Sequence, residues 1–190
     1  MVDVKGVANP LFLREEELRQ AIEMLFFAYR DFTGGPDEML AELGLGRAHH
    51  RVIYFVGRNP GITVSELLKI LRITKQSLSR VLSHLVEEEY ITQTPGERDR
   101  RQRLLTLTAK GVDLERRLTA NQRERIADAF RKAGAEAVQG FKLVLHGVID
   151  APDRERFDVS GGPTHLPVAR GGAKTAAAPP TDGKVAGGKR

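Results

Sequence analysis

Residues 63–108 read TVSELLKILRITKQSLSRVLSHLVEEEYITQTPGERDRRQRLLTLT, and this stretch decides the fold. Its most periodic part follows Thr74, where Leu78, Val81, Leu82, Leu85 and Val86 recur at i, i+3, i+4, i+7 and i+8, one apolar stripe on a helix. The opposite face carries Gln76, Ser77, Ser79, Arg80 and Ser83. Short hydroxyls, an amide and a guanidinium donate and accept in several directions, which suits base edges and phosphates. Upstream, Thr63 with Glu66 three residues on makes a capping box for a shorter helix whose apolar side is Leu67, Leu68 and Leu71. Arg72-Ile73 forms the turn, and Thr74 caps the second helix. Two capped helices joined so closely predict a helix-turn-helix.

Downstream, Tyr90-Ile91-Thr92-Gln93 reads as a short strand and Leu105-Thr106-Leu107-Thr108 as its returning partner. The loop between them, GERDRRQR, is dense in arginine. A further helix begins at Thr108, carries Leu114, Leu118, Ile126 and Phe130, and breaks at Gly134. A last amphipathic helix follows on Ala137, Phe141, Val144, Leu145 and Val148.

On the N-terminal side, Leu18, Ala21, Ile22, Leu25, Phe26, Tyr29 and Phe32 describe a helix with a broad apolar face. Thr33-Gly34-Gly35-Pro36 is expected to stop it, with a short separate helix over 37–43. The next helix, about 46–57, is expected to bury Ala48, Val52, Phe55 and Val56, and Asn59-Pro60-Gly61 ends it. So much apolar surface on a terminal helix either lies deep in a core or packs against a second subunit.

Composition bounds the function. The chain has 190 residues, room for one or two domains. Lys plus Arg number 30 against 25 Asp plus Glu, a net charge of +5, which permits a polyanion partner without demanding one. There is no cysteine, which excludes disulfides, thiol redox sensing and cysteine-ligated metals. The first residues lack a secretory apolar region and no run is long enough to span a membrane, so the expectation is a cytoplasmic protein without a membrane partner. Residues 1–10 read as a flexible lead. From 151 the composition shifts: 19 of 40 residues are Gly, Pro or Ala, with 7 Lys or Arg against 4 Asp or Glu, which reads as a disordered basic tail over 151–190.

No catalytic constellation is visible: Gly44-Leu45-Gly46 is too short for a phosphate loop, and no Ser, His and Asp set has motif context. Neither an enzyme nor a cofactor is expected. Gln76, Ser77 and Arg80 are the candidates for base contacts, since Arg can read guanine and Gln adenine. Thr74 and Lys75 stand at a helix start, where backbone N–H groups and the positive dipole end favour a phosphate. The plain alternative for all of them is a solvated helix face and a simple cap. His49 and His50 are adjacent and project about 100° apart on a helix, so they do not share a metal in the i, i+4 manner. No metal site is expected.

The motif Asp99-Arg100-Arg101 followed by Leu105-x-Leu107-Thr108-x-x-Gly111 resembles the D-x-R wing signature and the L-T-x-x-G helix entry of the MarR family of winged-helix transcriptional regulators. The likeness covers about 11–150, and FLREEELR (12–19) and FFAYRDFT (26–33) are also similar to the PetP-type subgroup. The resemblance implies a mainly α fold: a winged helix-turn-helix over about 45–110 with a two-stranded β wing, flanked by dimerisation helices at about 11–33 and 109–150. It implies a homodimer on double-stranded DNA, reading a pseudo-palindrome with the helix after Thr74, Ser79 included, in the major groove. Arg101 would enter the minor groove, held by a salt bridge from Asp99, while Arg98, Arg100 and Arg103 would contact phosphates. A small-molecule effector would sit in a cleft bordered by Arg47, His49 and His50. The other reading open to the sequence is a winged-helix module that binds protein rather than DNA.

Overall fold

The structure, a computed structural model, describes residues 13–97 and 99–157. Helices α1 (Glu15–Glu42) and α2 (Arg47–Arg58) lead to strand β1 (Ile62–Thr63) and helices α3 (Val64–Leu71) and α4 (Lys75–Glu87). Strands β2 (Ile91–Pro95) and β3 (Arg103–Leu107) follow, then helices α5 (Ala109–Val148) and α6 (Ala151–Arg154).

The helix-turn-helix forms as its caps predict. Glu66 N–H donates to Thr63 Oγ1 at 3.2 Å and Thr63 N–H to Glu66 Oε2 at 2.9 Å, a complete capping box. Ser77 N–H donates to Thr74 Oγ1 at 3.1 Å, and Leu78, Leu82 and Leu85 of α4 are buried. They meet Val52, Ile53 and Val56 of α2, Leu67 of α3, Ile91, Leu105, and Leu114 and Leu118 of α5 in one core. Each such side chain removed from water contributes about 1.5 to 3 kcal/mol, so this cluster holds the fold together. On α2 the buried side is Val52, Ile53 and Val56, with Phe55 half-buried; Ala48 is exposed, against expectation, because it lies in the first turn, before α2 reaches the core.

The wing is one strand wider than the sequence suggests. β3 is central, paired antiparallel with β2 (Ile91 opposite Leu107) and with β1 (Ile62 opposite Leu105). A two-residue strand shows no alternation in sequence, and only the partner beside it defines it.

The expected stop after Phe32 does not occur: α1 continues through Gly34, Gly35 and Pro36 to Glu42, and the short helix over 37–43 is its last part. Proline removes the N–H that would bond the carbonyl of residue 32. Gln122 Nε2 of α5 supplies that donor to Phe32 O at 3.3 Å, and Thr33 Oγ1 donates back to Tyr29 O and Arg30 O, both at 3.1 Å. The break at Gly134 does occur, with φ 81 and ψ 167 in the middle of α5, a conformation open to glycine alone.

Two regions need a boundary correction or lie out of view. The segment from 151 is not irregular at its start: Ala151–Arg154 form the short helix α6, with proline in its first turn, and Asp150 and Asp153 pair with Arg72. The lead over 1–10, expected to be flexible, and the rest of the expected tail, from 158, lie outside the described residues. Among those described, no helix is long and apolar enough to cross a membrane.

Candidate nucleic-acid interface

Every polar residue assigned to the outward face of α4 is exposed: Lys75, Gln76, Ser77, Ser79, Arg80 and Ser83. Lys75, Gln76, Ser79, Arg80 and Ser83 share one open groove with His84 and Glu87. Ser77 is partly committed elsewhere, its hydroxyl 2.8 Å from that of Thr74. The first turn of α4 carries no acidic residue, so its N–H groups present undiminished positive potential.

The wing hairpin turns tightly. Gly96 N–H donates to Gln102 O and Gln102 N–H to Asp99 O, each at 3.0 Å. Asp99 does hold Arg101, by a different bond from the expected salt bridge: its Oδ1 accepts the backbone N–H of Arg101 at 2.9 Å. None of the ion pairs among the described residues uses the Arg101 guanidinium, which is exposed along with Arg100 and Arg103. An Asp that fixes the loop through its backbone leaves the arginine charge available. Arg98 lies outside the described residues.

The histidines separate into two environments. His49 turns toward α4: its Nδ1 accepts the Gly46 N–H at 3.1 Å, and its Nε2 lies 3.1 Å from Nδ1 of His84, rings edge to face. An Nδ1 that accepts leaves the proton of neutral His49 on Nε2, so His49 donates to His84. Burial, then the neighbouring His84, lowers the His49 pKa from its ordinary value. His84 was beyond the reach of the sequence, being 35 positions away.

His50 turns the other way, into a cleft of about 470 Å³ between α1, α2 and α5. Burial lowers its pKa as well, with Asp37 and Glu115 opposing. Arg47 and Arg51 of α2, Tyr29 of α1, and Gln122 and Arg123 of α5 also line the cleft. Arg47 is paired to Asp37 at 2.6 Å and Arg51 Nη2 donates to the Tyr29 hydroxyl at 3.0 Å. Of the three residues proposed for a ligand cleft, Arg47 and His50 therefore border one and His49 does not. Tyr29, Arg51 and the pair Gln122 and Arg123 come from three separate helices, and no local spacing announces them. No group of three His, Asp or Glu among the described residues is placed to hold a metal.

A capped helix-turn-helix followed by a β hairpin with an arginine tip defines a winged helix-turn-helix protein. Residues 43–102 match the model of the MarR family. The HTH-type transcriptional regulator PetP of Rhodobacter capsulatus is 48% identical over 154 residues, which cover 81% of this chain and 93% of PetP. The chain belongs to the MarR family of winged-helix transcriptional regulators. Its fold is also that of Streptococcus pneumoniae FabT, solved in complex with DNA (TM-score 0.58, 23% identity, 69% of this chain and 94% of FabT). A mutant MarR from E. coli complexed with operator DNA is similar too (TM-score 0.55, 21% identity, 74% and 99%).

Proposed function

We propose that the chain is a dimeric transcriptional regulator that reads a pseudo-palindromic DNA site, with α4 in the major groove and the wing at the adjacent minor groove. The observation that carries this reading is the exposed face of α4, backed by a buried leucine stripe and accompanied by an exposed Arg101 in the wing. Gln76, Ser79 and Arg80 contact bases, with Ser77, the third base-contact candidate, held near the helix start by its bond to Thr74; Thr74, Lys75, Arg98, Arg100 and Arg103 contact or approach phosphates. Two proteins of the same fold, FabT and a mutant MarR, are solved in complex with DNA, which supports DNA as the partner.

Dimerisation is supported by the surface that the single chain leaves bare. Ile22 is 69% exposed and Phe26 63% on α1, and Val144 and Val148 are each 66% exposed near the end of α5. A lone protein rarely leaves so much apolar surface in water. A two-fold partner would cover it and would set the spacing of two α4 helices on DNA.

The cleft beside His50 takes a small ligand in this reading. It borders α1 and α5, the dimerising helices, and α2, which touches α4 through the His49–His84 pair. An occupant that prefers one arrangement of these helices shifts DNA affinity by that preference.

The test is a gel shift over a salt series, with light scattering on the same samples. Arg80→Ala and Arg101→Ala should each weaken binding by about 1 to 3 kcal/mol. Retained, salt-independent binding by the double variant would sink the proposed contacts. A monomer that ignores DNA at low salt and captures a protein partner would favour the protein-binding alternative.

A further inference from the structure

The helix-turn-helix is tied to a distant part of the chain. Arg72 ends α3 in the left-handed region, at φ 50. Its guanidinium forks between two carboxylates, Nη1 donating to Asp150 Oδ2 at 2.6 Å and Nη2 to Asp153 Oδ2 at 2.7 Å, 78 and 81 positions away. Asp150 is the N-cap of α6 and Asp153 lies in its first turn.

The rest of that segment is also fastened. Arg154 donates to Ile149 O at 2.6 Å and to Gly147 O at 2.9 Å, satisfying carbonyls at the end of α5. Arg156 Nε donates to Asp153 Oδ1 at 2.8 Å, so one aspartate joins two arginines. Phe157 then shares a recess with Tyr54 and Phe55 of α2 and Ile70 of α3.

A non-glycine residue stays in the left-handed region when its surroundings over-determine it. The Arg72 N–H closes the end of α3 on Leu68 O at 2.9 Å, and the fork adds a side-chain constraint at the same residue, two residues before Thr74 caps α4. We propose that residues 149–157 form a strap that sets the start of α4, with Arg72 as its positioning residue. Isolated surface ion pairs are weak, but a forked arginine and an aspartate shared between two arginines act together, with Phe157 at the edge of the recess beside them. The strap also neutralises Arg72, which distinguishes its role from that of Arg100, Arg101 and Arg103, exposed and in no ion pair among the described residues. Its consequence for DNA rests on the function proposed above; the strap itself does not.

The experiment uses the full chain, its Arg72→Gln variant and a paired Asp150→Asn, Asp153→Asn variant. Hydrogen exchange is measured at the amides of 72–77, and binding to a duplex that the parent chain selects from a random-sequence library. Both variants should speed exchange in that segment and weaken binding about 3- to 10-fold, the scale of a small ion-pair network. Their combination should be no weaker than the worse of the two. A charge-reversed set, Arg72→Glu with Asp150→Arg and Asp153→Arg, should recover part of the lost protection. Unchanged exchange in both variants overturns the strap. So does tighter binding by the aspartate variant alongside weaker binding by Arg72→Gln, which would make Arg72 a phosphate contact opposed by the carboxylates. Faster exchange in a protein that binds no duplex upholds the strap and overturns the DNA reading instead.

Discussion

The side-chain amide of Gln122 on α5 donates to the main-chain carbonyl of Phe32 on α1 across 3.3 Å, the carbonyl that Pro36 leaves without its helical donor. Gln122 is 8% exposed, so this is an interior repair of a helix that would otherwise break. Gln122→Ala should lower stability by about 1 to 3 kcal/mol by leaving the carbonyl unpaired. In a Pro36→Ala background the N–H of residue 36 returns to Phe32 O, so the same change should cost less. Urea unfolding of the four proteins measures this coupling, and equal costs in both backgrounds would contradict the repair.

Gly111, the last residue of the L-T-x-x-G motif, is needed for a reason visible only in three dimensions. A Cβ built there would lie 2.1 Å from the main-chain oxygen of Tyr90, and Thr108 N–H already donates to that oxygen at 3.1 Å. Backbone cannot yield as a flexible side chain can. Gly111→Ala should therefore cost more than about 2 kcal/mol, read as a lower midpoint in thermal or urea unfolding.

The half-buried histidines predict acid sensitivity. Burial lowers the pKa of both His49 and His50 from 6.5, so the unfolded chain binds protons at a pH where the folded chain does not. Their contribution to stability is full above about pH 6.5 and is lost as pH falls through the lower, folded pKa. The hydrogen-bond chain has the same sense, since a proton added to His49 Nδ1 would face the Gly46 N–H. A His49→Gln, His50→Gln variant should show a flatter stability profile between pH 7 and pH 5. An unchanged slope would show that other groups set it.

The proposed interface residues should divide by readout. Lys75→Ala should weaken binding to all duplexes alike and reduce the salt slope by about one. Gln76→Ala should instead relax the preference at one base position, with little change in salt slope. Binding isotherms over a salt series and a panel of mutated sites separate the two; identical behaviour of both variants would mean that Gln76 reads no base.

Much of the candidate interface was legible because its determinants are local. Thr63 with Glu66 and Thr74 with Ser77 satisfy amides within one turn, and the 78, 82, 85 stripe is a period of one helix. The polar face of α4 follows from that stripe by exclusion, and the arginines of the wing lie in one short loop. The stop after Phe32 misled because Gly-Gly-Pro is a local signal and its cure, Gln122, is 90 positions away.

The sequence by itself determined the helix-turn-helix, the wing and the family, since caps, apolar periods and the D-x-R motif act over a few residues. Tertiary structure alone decided the continuous α1, the third strand, the His49–His84 pair, the walls of the cleft and the Arg72 fork. Each of these needs a donor, an acceptor or a strand partner from another element. Local propensity carries no information about which distant group arrives to satisfy a bare carbonyl or a charged side chain.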